Sequence, residues 1–330
     1  MALDKITKKV NPLVTIAIPT YNRADSYLKQ AIEIAFNQTY QDIEIIISDN
    51  CSSDDTETLV KTFTDPRIRY FRQKENIGAN NNFNFCLEQA KGDYFLLFHD
   101  DDLIDNDFIE TCMEAANYSP DIGLIRTGVR IIDVNGNILR EKQNIGKGLS
   151  INDFFMAFLT GKISMFLCGT LFNTRCLREI GGFGTPQNLW QDVYAEFRIL
   201  AKYGRVDVKE IKASFRKHDL QRTSNVDIQG WCKDSLFLLD LMCNLASEKE
   251  DCIRTRGMYY FTRQNYIIAS NIKSLSSRFI SYLAVYKTFD YSYSPLNFIY
   301  SKTILSRRNK MKQAIKNRVK YIWNSMDVFK

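Results

Sequence analysis

Along the first hundred residues, short uninterrupted apolar runs alternate with segments whose apolar residues recur at helical spacing. Residues 14–18 form a β-rich run, and 23–38 carry Leu28, Ile32 and Ala35 on one stripe, with Asp25 or Ser26 as the expected N-cap. A second run at 43–48 is followed by Asp54, an expected cap, and a helix bearing Leu59, Val60 and Phe63. A strand at 68–72, a helix at 82–90 and a strand at 94–98 complete a βαβαβαβ pattern. Alternation of this kind predicts an α/β fold: a mainly parallel sheet with right-handed crossovers and helices on both faces.

Beyond residue 102 the pattern loosens. Asn135-Gly136 predicts a hairpin through 129–136, and 164–172 reads as a buried strand. A short helix at 175–180 is stopped by Gly181-Gly182, a helix covers 191–202, and 206–215 is extended. From Trp231 onward the chain is helical and aromatic, which sets a boundary near residue 230.

Polar residues collect where the strands of the first half end. The first runs into Pro19-Thr20-Tyr21-Asn22-Arg23, the second into Ser48-Asp49-Asn50, and the fourth into His99-Asp100-Asp101-Asp102. Open α/β sheets bind ligands at that edge. Three consecutive carboxylates repel one another, so they are comfortable only in open water or around a neutralising cation. A preceding apolar strand argues against open water. Hard cations such as Mg2+ or Mn2+ prefer carboxylate oxygens, commonly together with substrate phosphates, so the cluster predicts a metal-diphosphate site.

Composition narrows the class. The chain has 330 residues, 45% hydrophobic and 25% charged, an ordinary globular balance. Its net charge of +6 is uneven: residues 301–330 hold nine Lys or Arg and one Asp, leaving −2 for all that precedes. That placement argues against a broad nucleic-acid-binding face. The eight cysteines include no CxxC pair, so reduced structural thiols are expected rather than a zinc ribbon or redox motif. The first residues lack a signal-peptide h-region, and no apolar stretch of about 20 residues could span a bilayer. A cytoplasmic protein is the expectation.

The motifs together resemble the inverting, nucleotide-sugar-dependent glycosyltransferases of family 2. They comprise the stretch from Val14 to Arg23, Ser48-Asp49-Asn50, Asn76-Ile77-Gly78, Asn84, Lys91-Gly92-Asp93-Tyr94 and the aspartate cluster. The resemblance covers roughly the first two thirds of the chain and implies the GT-A fold. A catalytic domain would occupy 1–230, with a nucleotide-binding half at 1–105 and an acceptor half at 106–230; a helical extension would occupy 231–330. It implies that Pro19, Thr20, Tyr21 and Arg23 border the nucleotide, that Asp49 accepts a hydrogen bond from the base, that Gly78 lets backbone approach the donor and that Asn84 helps position it. Asp100 or Asp101 would contact ribose and Asp101 or Asp102 the metal, Mn2+ or Mg2+; His99 stands where a first family aspartate often lies.

On the acceptor side, Gly181-Gly182-Phe183 and Trp190-Gln191-Asp192 resemble the segment ending in the family's Glu-Asp pair, with Gln191 replacing the glutamate and Asp192 left as the implied general base. The segment from Phe215 to Asp219, with Ser224, resembles an element that closes over the diphosphate; it makes His218 a third metal ligand or phosphate contact, and Arg216 and Lys217 phosphate partners. The implied donor is a nucleotide-sugar, UDP-linked first, and the acceptor a glycan or lipid-linked glycan.

Met311, Ile315, Val319, Ile322 and Met326 recur at helical spacing among Lys and Arg, which describes an amphipathic basic helix. It either lies on an anionic membrane surface as a peripheral contact or packs on the catalytic domain. Two other functions stay open: a nucleotidyltransferase, which would want a Gly-rich loop where this chain has Pro-Thr-Tyr-Asn-Arg, and a catalytically silent scaffold of the same fold.

Overall fold

Strands β1 (Val14–Thr20) and β2 (Ile43–Asp49) are buried at every position, as central parallel strands covered on both faces must be. In the computed structural model, which describes residues 11–218 and 227–302, they are followed by β3 (Ile68–Arg72) and β4 (Tyr94–Leu97), alternating with helices α1 (Leu28–Phe36), α2 (Thr56–Lys61) and α3 (Ala79–Gln89). These four strands are parallel, in the order β3-β2-β1-β4. The register pairs Thr20 with Asp49, so the first two polar loops leave the sheet side by side.

The sheet continues with strands of mixed direction. The short β5 (Leu103–Ile104) and helix α4 (Phe108–Ala115) precede the hairpin β6 (Leu124–Ile132) and β7 (Ile138–Lys142); α5 (Ile151–Leu159), β8 (Thr170–Asn173), α6 (Thr174–Glu179), α7 (Gln191–Tyr203) and β9 (Arg205–Arg216) follow. The complete order is β3-β2-β1-β4-β8-β6-β9-β5, with β7 on β6. β8 is antiparallel to both β4 and β6, whereas β6 and β9 are parallel. The fold is the α/β GT-A arrangement.

Several element boundaries differ from the sequence pattern, three of them for a clear local reason. Helix α1 starts at Leu28, not near 23, because the amides of Arg23 and Ala24 are taken by Thr56 Oγ1 and Asp54 Oδ2; the N-cap is Tyr27 rather than Asp25 or Ser26. Helix α3 starts at Ala79, earlier than 82, after Gly78 takes a φ of 81°. In 164–172 only Thr170 onward is strand, since 167–169 forms a 3-10 turn. Gly169 lies so near β6 that a Cβ there would stand 2.7 Å from Val129 Cγ2.

The chain divides into two compact units. Of the described residues, the first comprises 11–218 and 233–254, and the second comprises 227–232 and 255–302. The first contains the sheet, and α8 (Ile228–Leu245) contributes to it from Lys233 onward. The second is helical, with much of α9 (Glu250–Ala269) and all of α10 (Leu275–Thr288). Its core is aromatic: Tyr266 packs on Tyr282 and Phe298, with ring centroids 5.3 and 5.1 Å away, and donates its hydroxyl to Tyr293 O. Among the described residues no helix is long and apolar enough to cross a membrane.

Candidate active site

The loops after β1 and β2 are stitched together before any ligand arrives. Asn22 has a φ of 53°, a conformation Asn tolerates better than most residues; its amide donates to Ser52 Oγ and its Oδ1 accepts from Ser53 N. Asn50 N donates to Thr20 O, and its side chain bonds Asn76 Oδ1 and Ile77 N. Gly78 lies in the same lattice, its amide on Asn76 Oδ1, and its positive φ excludes a comfortable side chain. Asp49 is fully buried at the end of β2, with Oδ1 accepting from Ser52 N, Oδ2 from the Tyr70 hydroxyl, and Arg72 Nε 3.6 Å away. Pro19 is buried in β1, while Tyr21 is exposed beyond it.

The aspartate cluster follows β4. Asp100 accepts from Thr20 Oγ1 at 2.7 Å and has Arg23 Nε at 3.8 Å, so the first loop and the cluster are joined through it. Burial, reinforced by the neighbouring Asp101 charge, pushes the Asp100 carboxyl up to about 7 against the opposing pull of Thr20 and Arg23. Asp102 is likewise raised by burial and by Asp101. It accepts Arg216 N at 2.9 Å, which ties the end of β9 to the cluster. Asp101 Oδ2 lies 2.6 Å from His218 Nε2.

These groups suit a hard divalent cation. One ligand atom each from His99, Asp101 and Asp102 lies within 4.8 Å of the others. His99 Nε2 is buried with no hydrogen-bond partner, and the Asp100 and Asp102 carboxyls are raised by burial first and by the neighbouring Asp101 charge after it. A cation would relieve each of these costs. His99, beside the expected Asp101, Asp102 and His218, is thus a candidate ligand. Arg216 is buried; its guanidinium reaches Asp101 O, Asp133 O, Val134 O and Gln30 Oε1 and stacks over Tyr27. Asp219 and Ser224 lie outside the described residues, as does the basic helix expected at 311–326.

On the acceptor side, Asp192 is the second residue of α7, where the helix dipole favours a carboxylate. Burial raises its carboxyl above the ordinary range, and the amides of Asp192 and Val193 and the nearby His99 oppose that rise. The burial-lowered His99 in turn feels both Asp101 and Asp192, so the carboxyl at the head of α7 shares an electrostatic neighbourhood with the aspartate cluster. Gln191 is buried with Oε1 lacking a partner.

The sequence named Asn84 for the donor and Gly182-Phe183 for the acceptor side, but not the bonds between them, and it did not single out Asn80, Asn82 or Asp234. Asn80 and Asn84, one turn apart on α3, both donate to Phe183 O, and Asn84 Oδ1 accepts Phe183 N. Asn82 exchanges hydrogen bonds with Ser48 at the end of β2. The Asn-rich run at 80–84 is the one sequence signal of this role. Gly182 packs against it, since a Cβ there would lie 2.4 Å from Asn84 Oδ1. Phe183 itself is buried against Phe95 and Phe172, so its ring anchors the loop.

The loop that leads into α7 is gathered by a fully buried carboxylate from α8. Asp234 accepts from Thr185 Oγ1, Gln187 N, Leu189 N and Trp190 N, at 2.5, 2.9, 2.8 and 3.4 Å, and Ser235 Oγ accepts from Trp190 Nε1 at 3.0 Å. Nothing in the periodicity of a long helix marks that aspartate as a loop organiser.

The chain is similar to known proteins in sequence and in fold. A sequence model described as "Glycosyl transferase family 2" matches residues 15–176. The chain is 36% identical over 197 residues to a Campylobacter jejuni GalNAc(5)-diNAcBac-PP-undecaprenol beta-1,3-glucosyltransferase, a match covering 56% of this chain and 60% of that protein's length. It is 30% identical over 222 residues to an uncharacterized glycosyltransferase of Rickettsia typhi, covering 65% of this chain and 67% of the relative. Among solved structures, residues 1–349 of Staphylococcus aureus TarS in complex with UDP-GlcNAc superpose with a TM-score of 0.65 at 15% identity, covering 85% of this chain and 81% of that one.

Proposed function

The chain belongs to glycosyltransferase family 2, and we propose that it is a metal-dependent inverting enzyme that moves a sugar from a nucleotide-sugar, UDP-linked first, to a glycan built on a lipid carrier. The observation that carries this reading is the cage of His99, Asp101 and Asp102, one ligand atom of each within 4.8 Å of the others. The Asp192 carboxyl, near enough for its charge to act on His99, supports the role of base beside that cluster. TarS, with UDP-GlcNAc bound, supports the donor class; the C. jejuni relative, whose name specifies an undecaprenol-linked acceptor, supports the acceptor class.

The Asp192 carboxylate takes the proton of the acceptor hydroxyl as that oxygen attacks the anomeric carbon from the face opposite the leaving group. The bond from that carbon to the diphosphate breaks, and the nucleoside diphosphate departs with the electron pair. His99, Asp101 and Asp102, with His218, would hold Mn2+ or Mg2+, which supplies positive charge to the departing diphosphate. Thr20 and Arg23 fix Asp100, which would meet the ribose. Asp49 and Gly78 shape the floor of the donor loops. Trp190, Gln191, Gly182 and Phe183 build the acceptor edge. The reaction would run on the inner face of the cytoplasmic membrane, with the basic C-terminal segment attracted to anionic headgroups.

A nucleotide-sugar panel with Mn2+ or Mg2+, reading both transfer and slow donor hydrolysis, tests the proposal. Turnover of one donor that disappears with chelator and is lost in Asp192→Asn is the expected result. Absence of binding and turnover with every donor overturns it.

A further inference from the structure

Helix α10 is apolar on two faces, and the fold uses one of them. Tyr282 and Val285 are buried. On the opposite side Leu275, Phe279 and Leu283 repeat every fourth residue at 77%, 56% and 48% exposure, with Ile280 beside them at 66%. A surface helix needs one apolar stripe; a second stripe of large side chains in water marks a surface that meets something else. In the same unit Leu296 and Tyr300 are also exposed, on the segment whose Phe298 packs on Tyr282.

Charge identifies the partner. Helix α10 contains Arg278 and Lys287 but no acidic residue. From residue 270 to the end of the sequence there are twelve Lys or Arg and two Asp, Asp290 and Asp327, in a chain that holds 38 acidic residues in all. Among the described residues of this stretch, 270–302, Lys273, Arg278, Lys287 and Lys302 stand against one acid, Asp290. Apolar side chains on so basic a segment fit an anionic lipid surface, with the rings and branched chains at the acyl boundary and the ammonium and guanidinium groups among the headgroups.

We propose that the outward stripe of α10, formed by Leu275, Phe279, Ile280 and Leu283, is a membrane-docking surface selective for anionic lipid. The inference is independent of the donor and of the catalytic base, because docking requires neither.

The test is co-sedimentation of the full chain with vesicles of phosphatidylcholine alone or mixed with phosphatidylglycerol, for the wild type and for Leu275→Ser/Phe279→Ser/Leu283→Ser. Wild-type protein should partition onto the mixed vesicles, release on addition of salt, and bind the neutral vesicles much less. The triple variant should bind the mixed vesicles roughly tenfold less or weaker still, with its melting temperature unchanged because the stripe makes no part of the core. A separate variant, Phe279→Trp, should retain binding and shift its fluorescence to the blue on mixed vesicles. Equal vesicle binding by the wild type and the triple variant overturns the proposal, as does a wild type that ignores anionic lipid. A wild-type dimer that the triple variant converts to monomer, without a change in vesicle binding, assigns the stripe to a second copy and also overturns it.

Discussion

Asp234 offers the sharpest quantitative test of how the loop leading into α7, the proposed acceptor edge, is built. One carboxylate with no solvent exposure accepts from Thr185 Oγ1 and from the amides of Gln187, Leu189 and Trp190. In Asp234→Asn the shape is kept, but one acceptor becomes an NH2 group facing a donor. With the amide oxygen at the Oδ2 position, Gln187 N–H loses its partner and the remaining bonds lose their charge assistance. A hydrogen bond to a charged acceptor contributes about 1.5–3 kcal/mol, so the variant should lose about 2–3 kcal/mol. Asp234→Ala abandons every donor and should lose about 3–5 kcal/mol, the range for breaking a buried charged contact. At roughly 2–4 °C per kcal/mol for a domain of this size, Asp234→Asn should melt roughly 4–12 °C lower. Circular dichroism melts measure that shift. Steady-state kinetics should show a raised acceptor KM with donor hydrolysis retained, because the loop ends two residues before Asp192 while the donor loops are held elsewhere. A melt within about 1 °C of wild type together with an unchanged acceptor KM would refute the reasoning.

Other perturbations probe the remaining parts of the site. Asp192→Asn should lower transfer by at least about a hundredfold, in line with the loss of a general base, while nucleotide binding by calorimetry stays intact; retained transfer would remove Asp192 from that role. Gly182→Ala must strain a φ of 74° and drive a methyl to 2.4 Å from Asn84 Oδ1, so a loss of about 2 kcal/mol or more in urea unfolding is expected. Glu196 is buried one turn after Asp192 on α7, and burial raises its carboxyl from 4.5 to about 8; Arg126 Nε opposes this from 3.3 Å without hydrogen-bond geometry. The folded chain keeps a proton that the unfolded chain releases, so this group's contribution to stability is complete below pH 4.5 and is lost as pH rises toward 8. Glu196→Gln should therefore flatten the fall of melting temperature with pH across that window, and an unchanged slope would contradict the assignment. Asp101→Asn should abolish the rise in melting temperature that Mn2+ gives the wild type, since it removes a carboxylate from the cage.

The strands and the polar edge of the first half were legible because they depend on local signals. The fully buried β1 and β2 announce themselves as apolar runs, and the carboxylates after β4 stand out by their mutual repulsion. What eluded the sequence pattern is a set of long-range polar contacts, including the one made by Asn84, which was named for the donor and not for its grip on Phe183. Asp234 reaches back 45 residues to Leu189, and Asn84 spans 99 to Phe183. Neither separation leaves any periodic trace. The Lys91-Gly92-Asp93 segment was legible as a motif but not in its role. Asp93 accepts Leu13 N, and a Cβ on Gly92 would lie 2.6 Å from Thr15 N, so the segment seats β4 against β1. Helix starts were misplaced wherever a neighbouring loop captured the first amides, as Asp54 and Thr56 do at Ala24 and Arg23.

The asparagines of α3 also constrain how such an enzyme can be re-engineered. Because Asn82 is bonded to the end of β2 while Asn80 and Asn84 hold the Phe183 backbone, and Arg178 on α6 caps the carbonyls of Leu87 and Ala90, the two sides of the cleft share one helix. A chimera that joins this chain's first 105 residues to another protein's acceptor half would keep the Asn82 bond to β2 but cut those that Asn80, Asn84 and Arg178 make. Exchange of acceptor specificity would keep its footing only if α3 travelled with the loop it grips, which makes the helix, rather than the midpoint of the chain, the natural seam for recombination.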